Sequence, residues 1–112
     1  MQTKIAVRHG QLNDDTRAFI EGKCEKLLHL FERVTEIAAT VEYQHNGDRV
    51  RVELNVDAEH KHDFNAHSEG EDVGQTFESC LHKMERQISR YKKRIQEHHG
   101  DPSARDVAGD PF

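Results

Sequence analysis

Alternation of apolar and polar residues marks four segments of the chain as candidate β-strands. The first is short and spans residues 3–8. Two longer alternations follow over residues 37–43 and 50–56, and a weaker one covers residues 61–68. A period of two is the spacing of side chains that share one face of a strand, so each segment predicts a half-buried strand.

The dipeptide Asn46-Gly47 separates the second and third of these segments. Both central residues of a type I′ turn adopt positive φ, which asparagine and glycine tolerate better than other residues. Asn-Gly between two alternating segments is therefore a strong local signal for a β-hairpin. It predicts that the second and third strands are neighbours in the sheet.

Two other segments repeat apolar residues every three or four positions, as amphipathic helices do. The first predicted helix spans residues 15–31 and follows capping side chains at residues 13–15. Gly22 lies inside it at a cost of about 1 kcal/mol relative to alanine, so we expect this helix to depend on packing. The second predicted helix spans residues 72–98. The apolar positions are Ile20, Cys24, Leu27, Leu28 and Phe31 in the first helix and Val73, Phe77, Cys80, Leu81, Met84, Ile88, Tyr91 and Ile95 in the second.

The order of the predicted elements is β-α-β-β-β-α. Because one face of every predicted strand is polar, we expect both helices to cover the other face. The predicted fold is α+β, a two-layer sandwich in which two helices pack on one face of a four-stranded mixed sheet. Residues 1–99 form the predicted domain. Residues 100–112 contain both prolines, Pro102 and Pro111, and lack an apolar period, which predicts a flexible C-terminal tail.

Length and composition agree with one soluble domain. The chain has 112 residues, of which 33% are charged, and its formal net charge is −5. No apolar run approaches the roughly 20 residues of a membrane span and no leader pattern is evident, so we expect neither a membrane protein nor a secreted one. The two cysteines, Cys24 and Cys80, are too few for a disulfide framework. We expect a cytoplasmic protein whose reduced thiols are buried on apolar helix faces.

The second predicted helix concentrates positive charge on one side. Residues 83–94 contain six basic side chains and one acidic side chain, Glu85, whereas residues 1–72 carry a net charge of −6. At about 100° per residue, the basic positions lie mainly opposite the apolar face and extend over about 16 Å. These positions, the basic ridge, are Lys83, Arg86, Arg90, Lys93 and Arg94.

Like charges one helical turn apart destabilise a helix, which makes the ridge less typical of an ordinary solvated surface. In the first helix, Lys23 and Lys26 lie away from the apolar face, and Arg33 lies just beyond its end. If the helices lie side by side, these side chains and the basic ridge form one positive surface. Clustered lysine and arginine on one face is the pattern expected for binding the phosphates of a nucleic acid.

Other candidate sites receive less support from the sequence. His60 and His62 lie on the same side of a strand, and His67 follows them, but a metal site needs three or four convergent ligands. Glu71 and Asp72 precede the second helix, where carboxylates interact favourably with the helix dipole without an acid–base role. We therefore expect no cofactor, no metal and no enzymatic activity.

Two motifs resemble a known family. Residues 8–17 have the sequence RHGQLNDDTR and lead into Glu-Lys-Leu at residues 25–27. Residues 71–73, Glu-Asp-Val, are followed by LHKMERQI at residues 81–88. The first motif resembles the start of the ribosome hibernation promoting factors, also called ribosome-associated inhibitor A or sigma-factor-modulation proteins. The second resembles their Glu-Asp-Met-Tyr…Asp-Lys-Leu-Glu-Arg-Gln-Leu signature. The resemblance covers about residues 3–98, and without the dimerising C-terminal domain we expect the short form of the family.

The resemblance implies a ribosome-associated translation inhibitor. Members of the family bind the small ribosomal subunit between head and body, across the mRNA channel and the tRNA sites, and hold ribosomes idle under stress. The basic helix faces would contact ribosomal RNA, and the protein would be a monomer in solution. A histidine-rich metal- or protein-binding stress module is the alternative. The positions that match the RNA-facing residues of the family, with Arg17 and Lys93 as additions, are Lys23, Lys26, Lys83, Arg86, Arg90 and Arg94.

Overall fold

The alternating segments form strands and the periodic segments form helices, in the β-α-β-β-β-α order that the sequence predicts. The computed structural model describes residues 2–59 and 62–98. The predicted C-terminal tail, residues 100–112, lies outside the described residues. In the described part of the chain, neither helix has the length and apolar character needed to cross a membrane. The elements are β1 (Gln2–Arg8), α1 (Asp14–Leu30), β2 (Val34–Gln44), β3 (Arg49–Ala58), β4 (His62–Gly70) and α2 (Val73–His98).

The four strands form one mixed sheet in the spatial order β1-β2-β3-β4. β1 is parallel to β2, because α1 carries the chain back along the sheet between them. The pairs β2–β3 and β3–β4 are antiparallel. One row of partners runs across all four strands, from Ile5 through Ala39 and Leu54 to Ala66. The register therefore aligns the apolar positions of the strands on one face.

Both helices cover this apolar face, which confirms the predicted two-layer arrangement. Phe31, Phe64 and Tyr91 contact one another edge to face, with ring centroids 5.4 to 6.4 Å apart. These rings join the end of α1 to β4 and to the later turns of α2. The other face of the sheet, the open face, carries the polar residues of the strands. The fully buried side chains of the core include Ile20 and Leu27 of α1, Ile37 of β2, Leu54 of β3, and Phe77, Met84 and Ile88 of α2.

Polar side chains cap the first turn of each helix. Asn13, within the predicted capping segment, accepts a hydrogen bond at Oδ1 from the Thr16 amide at 2.7 Å. Asp72 Oδ2 accepts one from the Gln75 amide of α2 at 2.9 Å. Each contact satisfies a backbone N–H that has no partner within the helix. A Cβ at Gly22 would meet nothing within 4 Å, so close packing does not require glycine at this position of α1.

The Asn46-Gly47 turn has the positive φ angles that the sequence predicts, 58° for Asn46 and 96° for Gly47. The Asp48 amide donates a hydrogen bond to the His45 carbonyl oxygen at 3.2 Å. The connection is longer than the dipeptide, because residues 45–48 all lie outside the paired strands. His45 also has a positive φ, 53°.

β2 begins at Val34, earlier than the predicted start at residue 37. Val34 and Ile37 are both buried, a step of three that regular alternation does not produce. The pairing register with β3 shifts between Val34 and Glu36. This shift breaks the period-two pattern, so the first residues of the strand lack the signal on which the prediction depends.

Candidate nucleic-acid interface

Four side chains of the basic ridge are exposed on α2. Lys83 is turned toward β4, and the three on the outer surface are Arg86, Arg90 and Lys93. Met84 and Ile88, on the opposite side of the same helix, are fully buried in the core. A helix that buries one side against a sheet must present the other to solvent, so the spacing of these residues fixes their outward direction.

A shallow recess of about 320 Å³ lies on this outer surface. Arg86 and Arg90 line it from adjacent helical turns, together with His82, Ser89 and the acidic Glu85. Guanidinium, imidazole N–H and hydroxyl groups all donate hydrogen bonds to phosphate oxygens. The sequence pattern did not single out His82 or Ser89. Their positions, four residues before Arg86 and three after it, are the signal that places them on the same surface.

Lys83 belongs to the basic ridge but is turned toward β4. Its ammonium donates a hydrogen bond to the His67 carbonyl oxygen at 2.8 Å. Gln87, one turn later, donates to the Asn65 carbonyl oxygen at 2.6 Å. Because β4 is an edge strand, these two side chains satisfy carbonyl groups at the edge of the sheet. Lys83 therefore supports the structure in addition to contributing positive charge.

α1 contributes Lys23 and Lys26, and the two helices lie side by side. Lys26 is exposed, whereas Lys23 is half-buried. The Lys23 ammonium lies 3.9 Å from the Glu78 carboxylate of α2 and 5.5 Å from the centroid of the Phe19 ring. The structure thus brings Lys23 onto the flank of α1 that faces α2, where Glu78 partly offsets its charge.

Arg17 lies apart from the other predicted residues. It is half-buried and lines a recess of about 240 Å³ with Thr3, Ile5, Glu21 and Glu25. Thr3 and Ile5 belong to β1, so this recess is on the side of α1 away from α2. The structure does not bring Arg17 together with the basic ridge, and two carboxylates lie in the same recess.

Lys92 shows how one residue step changes the role of a basic side chain. Its ammonium donates a hydrogen bond at 2.5 Å to the carbonyl oxygen of Leu30, the last residue of α1. A cation is stabilising there because the C-terminal end of a helix carries partial negative charge. Lys93, about 100° further around α2, is exposed, and Arg94 at the end of the ridge is half-buried.

The open face of the sheet carries many carboxylates. Glu36, Asp57 and Asp63 are partners across β2, β3 and β4 and form a row. Partial desolvation, a hydrogen bond with Asp63 and the negative charges of Asp63 and Glu36 raise the pKa of Asp57 above its usual value. The net charge of −5 therefore conceals a basic outer surface of α2 and a carboxylate-rich open face of the sheet.

The thiols and histidines do not form a rival site in the described structure. Cys24 and Cys80 are free and fully buried, as the sequence predicts. Burial raises the pKa of each cysteine thiol to about 11, and Cys80 Sγ donates to the Ala66 carbonyl oxygen at 3.3 Å. Within residues 2–59 and 62–98, no three His, Cys, Asp or Glu side chains are grouped so that they could hold a metal ion. His60 lies outside these residues.

Comparison with known proteins gives relatives that match over most of the chain. A family model described as Sigma 54 modulation protein / S30EA ribosomal protein matches residues 3–96. The ribosome hibernation promoting factor of Salmonella typhimurium is 24% identical over 98 residues, which cover 88% of this chain and 100% of that protein. The protein of the same name from Escherichia coli K12 is 22% identical over 98 residues, with the same coverage of 88% and 100%.

Two solved structures share the fold. A ribosomal subunit interface protein from Coxiella burnetii has a TM-score of 0.74 at 22% sequence identity, and the match covers 83% of this chain and 99% of that chain. The N-terminal domain of Thermus thermophilus Protein Y has a TM-score of 0.68 at 18% identity, and the match covers 79% of this chain and 94% of that chain. Both likenesses confirm the α+β fold, with two helices and a four-stranded mixed sheet.

Proposed function

Because the chain belongs to the Sigma 54 modulation protein / S30EA ribosomal protein family, we propose that it is a ribosome-associated hibernation factor that represses translation. It binds the small ribosomal subunit across the mRNA channel and the tRNA sites and keeps ribosomes idle under stress or in stationary phase. This role places the protein in the cytoplasm, with residues 1–99 as the binding domain.

The observation that carries this proposal is the exposed basic surface of α2. Arg86, Arg90 and Lys93 lie on one helical surface, opposite the buried side of the same helix. Lys26 adds a further exposed cation from the adjacent helix. Such clustering on one side of an acidic protein supports binding to a polyanion, and ribosomal RNA is the polyanion that the relatives' names suggest.

The proposed mechanism is occupancy. Lysine and arginine contacts with phosphates position the domain, and the shape of the folded RNA selects the place where it fits. A domain held in the decoding groove blocks mRNA and tRNA by volume, so inhibition requires no covalent chemistry. Lys23, Lys83 and Arg94 act as supporting contacts in this proposal, while Arg17 contributes only if RNA also reaches the β1 side of α1.

Reversing Arg86 and Arg90 together to glutamate tests the proposal. Both side chains are exposed, so the fold should survive while two phosphate contacts are lost. Each lost contact should reduce the magnitude of the slope of log affinity against log salt by about 0.7. The slope of the double variant should therefore be smaller in magnitude by about 1.4. The measurement is binding to purified small ribosomal subunits over a salt series, with cell-free translation as the functional readout.

The matched control reverses Arg8 and Arg49, two exposed arginines on the open face of the sheet. This control has the same change in net charge, so it separates the ridge from a general effect of charge. We expect it to retain most of the binding. A folded Arg86→Glu, Arg90→Glu variant that binds and inhibits like the wild type would contradict the proposal.

The family match does not favour the alternative, a histidine-rich metal- or protein-binding module. The same binding series separates the two functions. Binding to RNA weakens steeply with ionic strength, whereas a metal-dependent interaction responds to a chelator and to acid.

A further inference from the structure

Phe19 is the exposed large apolar side chain of the described structure, with 36% of its surface accessible. It lies on α1 one turn before Lys23, whose ammonium is 5.5 Å from the centroid of the ring. Lys26 is exposed one turn after Lys23. An aromatic ring thus lies beside cations, on the flank of α1 that faces α2.

The core holds this ring in a defined orientation. Phe77 of α2 is fully buried, and its ring meets the Phe19 ring edge to face at a centroid distance of 6.1 Å and an interplanar angle of 71°. The buried partner restrains Phe19, so the ring loses little further conformational freedom when another group stacks on it.

Gly22 keeps the ring accessible. Side chains on a helix lean toward its N-terminus and cover the residues three and four positions earlier. A long side chain at position 22 would therefore extend toward Phe19, and the space at this position is open, with no atom, the Phe19 ring included, within 4 Å of a Cβ built there. Glycine inside a helix reduces helix stability. Access to the Phe19 ring would explain why glycine occupies this position.

Resting on the proposed function, we propose that Phe19 is a stacking platform for one unpaired base of ribosomal RNA. Lys26 holds a phosphate that flanks this base, and Lys23, whose charge Glu78 partly offsets, adds a weaker contact. Unpaired bases stack on aromatic side chains in sequence-tolerant RNA recognition, and neighbouring cations secure the backbone. The nearby carboxylate of Glu78 is paired with Lys23, so it does not cancel the charge of Lys26.

The first test compares Phe19→Leu with Phe19→Trp for binding to purified small ribosomal subunits. Leucine keeps an apolar contact with Phe77 but cannot stack, and loss of one stacked base should weaken binding by roughly tenfold. The salt slope should stay at the wild-type value because no phosphate contact is lost. Lys26→Gln is the matched control, since it should weaken binding and flatten the slope by about 0.7. Phe19→Trp should bind at least as tightly as the wild type.

The second test uses a variant that should be more stable than the wild type. Gly22→Gln introduces a good helix former without charge, and its side chain should lie over Phe19. We expect a higher Tm together with a loss of affinity comparable to that of Phe19→Leu. Reduced affinity in a more stable protein cannot result from unfolding.

The third test reports directly on the ring. The chain contains no tryptophan, so the indole of the Phe19→Trp variant is a single fluorescent probe. Stacking on a base should quench its emission when small subunits are added, and ultraviolet crosslinking should join it to RNA. A crosslink to a ribosomal protein, or unchanged emission at saturation, would overturn the inference.

The ridge variant separates this inference from the proposed function. If Arg86→Glu, Arg90→Glu loses binding while Phe19→Leu and Gly22→Gln bind like the wild type, the ribosome proposal stands and the stacking platform is wrong. If the wild type does not bind small subunits, the proposed function is wrong, and the stacking platform, which rests on it, is wrong with it.

Discussion

Asp57 lies between Glu36 and Asp63 in the row of carboxylates on the open face. Its raised pKa means that the folded protein holds a proton there more tightly than the unfolded chain does. Ionisation of Asp57 at neutral pH therefore costs folding stability. We expect Asp57→Asn to raise the Tm at pH 7, because the substitution removes one charge of the repelling row.

The pH dependence of this gain distinguishes charge repulsion from other causes. The difference in Tm should shrink as the pH falls from above the ordinary carboxyl pKa of about 4 toward that value, because protonation then neutralises Asp57 in the wild type as well. Asp48→Asn in the exposed hairpin turn is the control and should change the Tm little. A gain at pH 7 that persisted undiminished in acid would exclude the electrostatic explanation.

At the scale of elements, two glycines differ in the space that a side chain at their position would have. Gly22 lies inside α1 with open space around it, whereas a Cβ at Gly10 would overlap the ring of Tyr43. The Tyr43 hydroxyl also donates to the Gln11 carbonyl oxygen at 3.2 Å, so the ring is not free to move away. We expect Gly22→Ala to raise the free energy of unfolding by about 1 kcal/mol and Gly10→Ala to lower it by about 1 kcal/mol or more.

Urea unfolding of the two alanine variants measures both effects. Opposite signs are the expected result. Alanine at position 22 lowers the conformational entropy of the unfolded chain, whereas alanine at position 10 creates steric overlap in the folded state. Equal destabilisation by both variants would show that position 22 has a packing role that the open space around it does not suggest.

The elements themselves follow from the sequence because their periods are set by backbone geometry. The strand period predicts that Leu54 faces the core, and the helix period predicts the same for Phe77. Both side chains are fully buried. The start of β2 at Val34 escaped prediction because the register shift interrupts the alternation. The spacing placed Lys83 on the ridge, but its contact with the His67 carbonyl depends on a neighbouring strand that helical periodicity does not describe.

The same limit applies to the candidate site. The helical period predicts that Arg86, Arg90 and Lys93 face outward, and the structure confirms this direction, because it depends only on the buried side of their own helix. Arg17 could not be assigned to a flank from α1 alone. Its position toward β1 results from the way the helix crosses the sheet.

At the scale of the whole molecule, the reactivity of the two cysteines tests whether the domain unfolds cooperatively. Cys24 comes from α1 and Cys80 from α2, and both are fully buried in the same core. With the pKa of each thiol raised to about 11, neither should react with a disulfide reagent in the folded state. We expect both to be labelled at one common rate that follows global unfolding and rises with denaturant. Rapid labelling of one cysteine in buffer would instead indicate that one helix opens alone.

The two edges of the sheet have different consequences for self-association. At the β4 edge, Lys83 and Gln87 already occupy two carbonyl oxygens, so an incoming strand would have to displace side chains of α2. β1 forms the other edge. Strand addition is therefore more favourable at β1 than at β4, and each copy supplies one such edge. Pairing through β1 closes a dimer, whereas a filament would also need the β4 edge, so the two occupied carbonyl oxygens disfavour open-ended aggregation.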